Sequence, residues 1–342
     1  MAGRGPQGAA LKLTALNFRL DNDGDEHQVG IAARPAAALG PGIELRARFD
    51  GGSVRQIDKW SGRIYAELGN TNLAGWRAWV DYPINLRRGD GALRIWATLA
   101  DGRLSQATAD VVLSNVLVQL GRELPMLEIS AVRGRVYGRE TAGGYDFGVR
   151  SLSLASPGAP PMNGTSFRAT WEPAGGTTLV PRGSMSANLV ELGPLAHLAE
   201  YLPFPADLRA LLAELAPQGN LLDAKFDWTG VLPDRATYSA KTRFTGLTMN
   251  AWRSIPGFAN LLGQPGSERN KGTLYLAARK SELDLPKVFP EPRIGLEALN
   301  GEVAWERSAD GVVVKLANLG FATRTLRAPP TAATPGPAKA AE

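Results

Sequence analysis

The sequence predicts a mainly β protein built from an extended, twisted antiparallel sheet of many hairpins. Three observations support this class: apolar and polar residues alternate through much of the chain, turn sequences such as Asp-Gly separate the alternating segments, and glycine (39) and proline (24) are frequent. A period of two indicates strands with one apolar face. Short polar turns favour pairing of consecutive strands. Two short helical inserts, near 192–216 and 252–263, interrupt this pattern.

The strand pattern is easiest to read in the segments "ALRIWATLA" (92–100), "GTLYLAA" (272–278) and "GVVVKLANLGF" (311–321). Each places its larger apolar side chains on one face of a strand, because successive side chains point to opposite faces. The residues on these apolar faces are Leu93, Ile95, Leu99, Leu274, Leu276, Val312, Val314 and Leu316. Such a face is either the closed core of a sandwich or barrel, or the lining of an open groove.

The first helical insert contains four leucines at i, i+3, i+4 and i+7, which is the spacing of one helix face. They are Leu208, Leu211, Leu212 and Leu215. Pro203 and Pro205 are expected to divide 192–216 into two short helices, with Pro205 near a helix start.

The second insert is expected to begin at Pro256-Gly257 and to form one or two helical turns. Its apolar residues are Trp252, Phe258, Leu261 and Leu262.

These patterns predict four segments in the chain. Residues 1–190 and 218–322 are two sheet segments, and 191–217 is a helical insert between them. Residues 323–342 are rich in proline and alanine without periodicity, so this tail is expected to be disordered.

The composition and the motifs argue against several classes of function. The chain has no cysteine, and its two histidines, His27 and His197, do not lie at metal-ligand spacing. The arginines behind the net charge of +5 are scattered rather than clustered, which argues against a nucleic-acid binder. No nucleophile, phosphate-loop or dinucleotide motif occurs. The sequence therefore predicts no catalysis, cofactor, metal or nucleic-acid partner.

Several segments, taken in order, resemble the YhdP branch of the AsmA-like family of Gram-negative envelope proteins, which are bridge-like lipid transfer proteins. The quoted elements are Pro256-Gly257, "ELDLPKVFPEP" (282–292) and "LEALNGEVAW" (296–305). The strand pair at 82–116 and "LAEYLPFP" (198–205) also fit. The likeness covers roughly residues 10–322.

The resemblance implies an extended sheet curled into an open apolar groove. It also implies a periplasmic protein, anchored in the inner membrane at its N-terminus in the full-length family, that moves phospholipid between the inner and outer membranes. No apolar run here is long enough for such an anchor, so the chain is expected to be a fragment of a longer protein. The expected partners are phospholipid and, through the missing anchor, the membrane.

On this reading the eight apolar-face residues named above line the groove. The expected caps of its mouth or edge are the apolar residues of the two inserts, namely Trp252, Phe258, Leu261, Leu262, Leu208, Leu211, Leu212 and Leu215. The alternative from another class is a non-catalytic β-rich scaffold that binds a peptide by strand addition.

Overall fold

The computed structural model describes residues 2–4, 10–82, 84–175, 180–231, 235–253, 255–268, 271–286, 290–308, 311–323 and 327–331. The chain divides into two compact units, one of residues 1–166 with 201–203 and the other of 167–200 with 204–342. The division lies N-terminal to the insert expected at 191–217. Each unit is an antiparallel sheet, so the predicted mainly β fold is confirmed.

The first unit is a meander in which each strand from β3 to β10 pairs with the next. Among the described residues no pairing joins β3 to β10, so the sheet of this unit is open. Two three-residue strands, β1 and β2, pair with each other and with no other strand in the described part of the chain. The strands are β1 Ala2–Arg4, β2 Ala10–Lys12, β3 Thr14–Asp23, β4 Glu26–Arg34, β5 Gly42–Asp50, β6 Ser61–Asn72, β7 Asn85–Ala100, β8 Arg103–Gln119, β9 Leu127–Thr141 and β10 Gly144–Ala155.

The second unit repeats the meander from β11 to β19, and β11 contains the division point. No pairing joins β11 to β19 among the described residues. The strands are β11 Met162–Glu172, β12 Arg182–Glu191, β13 Gln218–Val231, β14 Arg235–Met249, β15 Gly257–Glu268, β16 Lys271–Asp284, β17 Arg293–Ser308, β18 Gly311–Ala322 and β19 Arg327–Thr331.

The hairpin turns follow the predicted chemistry. Asp101 and Gly102 join β7 to β8 with φ of 50° and 69°. Two successive positive φ values match the twist of the flanking strands, and Asp-Gly adopts them at low cost.

The helical insert after β12 is confirmed as two short helices, α1 (Leu192–Leu198) and α2 (Ala206–Leu215). Pro205 is the residue that precedes α2, as its fixed φ favours. Helix α1 packs on β12 and β13 and buries Pro194 and Leu198.

The prediction of a helix at 252–263 is wrong. Residues from Gly257 onward form β15, and Trp252 and Ile255 form an isolated bridge in the turn before it. Asn260 has a φ of 56° and marks a bulge in β15. The extra residue brings Phe258 and Leu261 to the same face although they are three apart, which imitates helical spacing.

The predicted disorder of 323–342 is wrong for part of that tail. Residues Arg327–Thr331 form β19, which pairs with β18 through Ala322 and Arg327. Residues 324–326 and 332–342 lie outside the described part of the chain.

Candidate functional site: an open apolar sheet face

One face of the first unit carries an apolar row that crosses all eight strands. Residues opposite one another in an antiparallel pair share a face, so the register defines the row. Its members are Phe18, Ile31, Leu45, Ala66, Ile95, Ala109, Val136 and Val149. A parallel row runs one pair further along, from Leu20 through Val29, Ala47, Ile64, Ala97, Ala107 and Gly138 to Phe147.

The structure brings the three predicted residues of β7 onto this face. Ile95 belongs to the first row, Leu93 pairs with Leu68 and Val111, and Leu99 pairs with Gly62 and Leu104. All three predicted side chains are half-buried rather than fully buried. Large side chains at the ends of the rows are more open, with Phe18 57% and Phe147 45% exposed. A closed core of this size would bury such residues almost fully.

In the second unit, the predicted residues of β16 and β18 also share a face. Leu274 pairs with Val303, which pairs with Leu316, and Val314 pairs with Trp305. Leu274 and Leu276 are half-buried, whereas Val314 and Leu316 are 42% and 45% exposed. The strand position of Val312 is defined, opposite Arg307, but its side chain lies outside the described part.

One end of this second apolar face is a closed cluster. Its buried members are Phe244, Leu261, Ala278, Leu296 and Leu299. Phe258, Leu274 and Leu276 pack against them. Phe258 and Leu261 were expected in a cap helix, but they belong to β15 and to the sheet face itself. Leu262, the next residue of β15, is exposed.

Of the remaining predicted cap residues, Trp252 lies at the C-terminal end of α2, next to Leu215. The Trp252 indole nitrogen donates to the Glu214 carboxylate at 2.5 Å, and the Asn250 backbone nitrogen donates to the Leu215 carbonyl at 2.9 Å. Helix α2 buries no residue fully: Leu208 is exposed, and Leu211, Leu212 and Leu215 are half-buried. The helix is therefore held at its C-terminus by the turn before β15. That these residues cap a groove stays a prediction.

The opposite face of the first unit is polar, and its ordered rows of polar side chains were not predicted from the sequence. One row has no apolar member on any of the eight strands; it runs Asp21, Gln28, Arg48, Arg63, Thr98, Gln106, Arg139 and Asp146. Beside it lies a charge ladder of register partners that alternate in sign: Glu67, Arg94, Asp110 and Arg135. The segments "YAEL", "LRIW" and "TADV" contain one charged residue each, so the sequence shows no alternation of sign, and only the register connects these residues.

The ladder is held by short ion pairs. Arg135 donates to both oxygens of Asp110 at 2.5 and 2.7 Å, which lowers the pKa of that carboxyl. The Glu67 carboxylate accepts from the Tyr65 hydroxyl at 2.5 Å and from Arg94 at 3.2 Å. These two donors lower the pKa of Glu67, and the same hydroxyl bond raises the pKa of Tyr65.

The described residues contain no group of three or more His, Cys, Asp or Glu that could hold a metal ion. His27 has a structural role: its ring stacks on Trp60 with centroids 4.4 Å apart and hydrogen-bonds to Asn22 and to the Gly51 carbonyl. Within the described ranges, no helix has both the length and the apolarity that a membrane crossing requires.

The fold and the site together define a class: open antiparallel-sheet proteins with one apolar and one polar face. The family model described as YhdP protein matches residues 4–339. The chain therefore belongs to the YhdP family, which makes it an AsmA-like protein of the cell envelope. This family is not known as a family of enzymes. Neither the curated proteins nor the solved structures gave a match.

Proposed function

We propose that the protein is a segment of a periplasmic conduit that shields phospholipid acyl chains on the apolar faces of its sheets during transfer between the inner and outer membranes. The observation that carries this proposal is the apolar row from Phe18 to Val149, which is continuous over eight strands and not sealed. The membership of the YhdP family supports it.

The energetics explain why such a face is needed. Each methylene that leaves an apolar environment for water costs about 0.8 kcal/mol, so a chain of about sixteen methylenes costs on the order of 13 kcal/mol. A row of side chains of similar polarity offers an acyl chain nearly the same contact at each step. Movement along the face then meets small barriers, while the phosphate headgroup stays in water.

A site-specific photocrosslinker tests this proposal with matched neighbours. Placed at Ile95 or Leu316, on the apolar faces, the crosslinker is expected to form phospholipid adducts in cells. The adjacent positions Arg94 and Lys315 point to the opposite faces and serve as controls. Mass spectrometry of the purified protein identifies the adducts.

Adducts at all four positions, or at none, contradict the proposal. A peptide adduct at Ile95 and Leu316 in place of lipid supports the scaffold that binds a peptide.

A further inference from the structure

The polar face of the first unit contains a depression that has no part in the proposed binding of acyl chains. It has a volume of about 590 Å³ and lies over strands β3 to β7. Four arginines line it, Arg19, Arg46, Arg48 and Arg63. Gly30 stands between Arg19 and Arg46 in the register, so no side chain fills the space between these two guanidinium groups.

The signs of the charges at this depression do not alternate as they do in the ladder. Arg48 and Arg63 are register partners, so two cations stand side by side on one face. Like charges in this position destabilise a sheet. Asp21 is the one carboxylate among the lining residues, and it pairs with Arg19 at 2.6 Å.

The acids that pair with two of the other arginines lie outside the depression. Arg48 pairs with Glu26 at 2.5 Å, and Arg46 pairs with Glu44. Within the described ranges, no ion pair forms on Arg63. Three of the four arginines are therefore paired with carboxylates, and the Arg63 guanidinium is the cation at this depression with which an incoming anion would pair.

The aromatic pair at one side of the depression adds a second kind of contact. The rings of Tyr65 and Trp96 lie with centroids 5.6 Å apart, and Trp96 is 38% exposed. An exposed indole beside guanidinium groups can pack against the non-ionic part of a ligand whose charged part is bound by arginine.

We propose that this depression is a binding site for a phosphate group, carried either by a small solute or by a lipid headgroup. Guanidinium groups bind phosphate oxygens in pairs of parallel hydrogen bonds, and one phosphate can accept from more than one arginine. The site lies on the face opposite the apolar rows, so it does not depend on the proposed transfer of acyl chains.

The test uses the full chain with two phosphate probes. Isothermal titration calorimetry with pyrophosphate is expected to show saturable binding. In flotation assays, vesicles that contain phosphatidylglycerol are compared with vesicles of phosphatidylcholine alone. Pyrophosphate binding without flotation identifies a soluble phosphate compound as the ligand. Flotation with the anionic vesicles identifies a lipid headgroup.

The double variant Arg46→Gln/Arg63→Gln is expected to reduce the affinity for the active probe at least about tenfold, since each charged hydrogen bond contributes strongly. Arg63→Lys keeps the charge but not the paired geometry and is expected to lose part of the affinity. Arg94→Gln, on the same face but outside the depression, is the control. Circular dichroism verifies that the variants fold.

No binding of either probe to the native protein overturns the proposal. An equal loss in Arg94→Gln also overturns it, because the effect is then one of general charge. Lipid crosslinking at Ile95 reports on the apolar face separately, so failure of one proposal is distinguishable from failure of the other.

Discussion

Tyr65 and Glu67 lie two residues apart on β6, so their side chains project from the same polar face and meet in a hydrogen bond. This contact explains two opposite shifts. The pKa of Glu67 is lowered, so its contribution to stability is present above the ordinary carboxyl pKa of 4.5 and is lost as the pH falls through the lower folded value. The pKa of Tyr65 is raised, so its contribution is present below 10.0 and is lost as the pH rises through the folded value.

Glu67→Gln is expected to bring the pKa of Tyr65 down toward 10.0, because it removes both the charged acceptor and its negative field. A titration of the tyrosine ring carbons by NMR measures this change. Glu44→Gln is the control, since Glu44 acts on Tyr65 only through a weaker field. Equal titration curves for Tyr65 in Glu67→Gln and the native protein would show that the bond does not form in solution.

At the scale of the strand pair, glycine and tryptophan face each other at two places in the second unit. A Cβ on Gly272 would lie 2.0 Å from the Trp305 ring, and one on Gly183 would lie 2.2 Å from the Trp228 ring. Each glycine is the register partner of its tryptophan. The large ring lies over the glycine and covers the strand backbone, an arrangement known to support β-strand glycines.

Gly272→Ala is therefore expected to lower the free energy of unfolding by about 1–3 kcal/mol, the range found for overpacked sites. Gly266→Ala is the matched control on the neighbouring strand β15, because a Cβ there meets nothing within 4 Å. Urea unfolding curves provide the comparison. A loss in Gly266→Ala as large as that in Gly272→Ala would show that strand geometry rather than the Trp305 ring sets the cost.

The difference between local signals and strand pairing explains which elements could be predicted from the sequence. Local signals sufficed for α2, whose four leucines have regular spacing after Pro205, and for the turn at Asp101-Gly102. They failed at 252–263, because the bulge at Asn260 gave a strand the apolar spacing of a helix. A bulge depends on the pairing partner, which local spacing does not contain.

The candidate site shows the same limit. The apolar faces at Ile95 and Leu274 follow from alternation alone, whereas their assembly into rows requires the register of every strand. The charge ladder from Glu67 to Arg135 joins residues of four strands and has no local signature. Family resemblance supplied the expectation of an open groove, which alternation could not separate from a closed core.

At the scale of the whole molecule, the two units share one principle: a meander of long antiparallel strands with an apolar and a polar face. The polar face carries ion pairs such as Arg94–Glu67 in the first unit and Lys271–Glu306 in the second. Exposed pairs of this kind add little stability. Their main effect is to make one face of each sheet polar. On the proposed function, this leaves a single apolar side of each sheet for acyl chains.

A charged residue placed in the middle of an apolar row provides the strictest test of whether acyl chains lie on the apolar face. Ile95→Arg is expected to reduce the phospholipid that co-purifies with the chain about tenfold or more, as measured by native mass spectrometry, because an acyl chain cannot cover a guanidinium group without desolvating it. The fold is expected to survive, since Ile95 is only half-buried and a long arginine side chain can reach water. Gln106→Arg adds the same charge to the polar face of the neighbouring strand β8, outside the arginine-lined depression, and is expected to leave the lipid content unchanged. If both variants retain the native lipid content, acyl chains do not lie on this row.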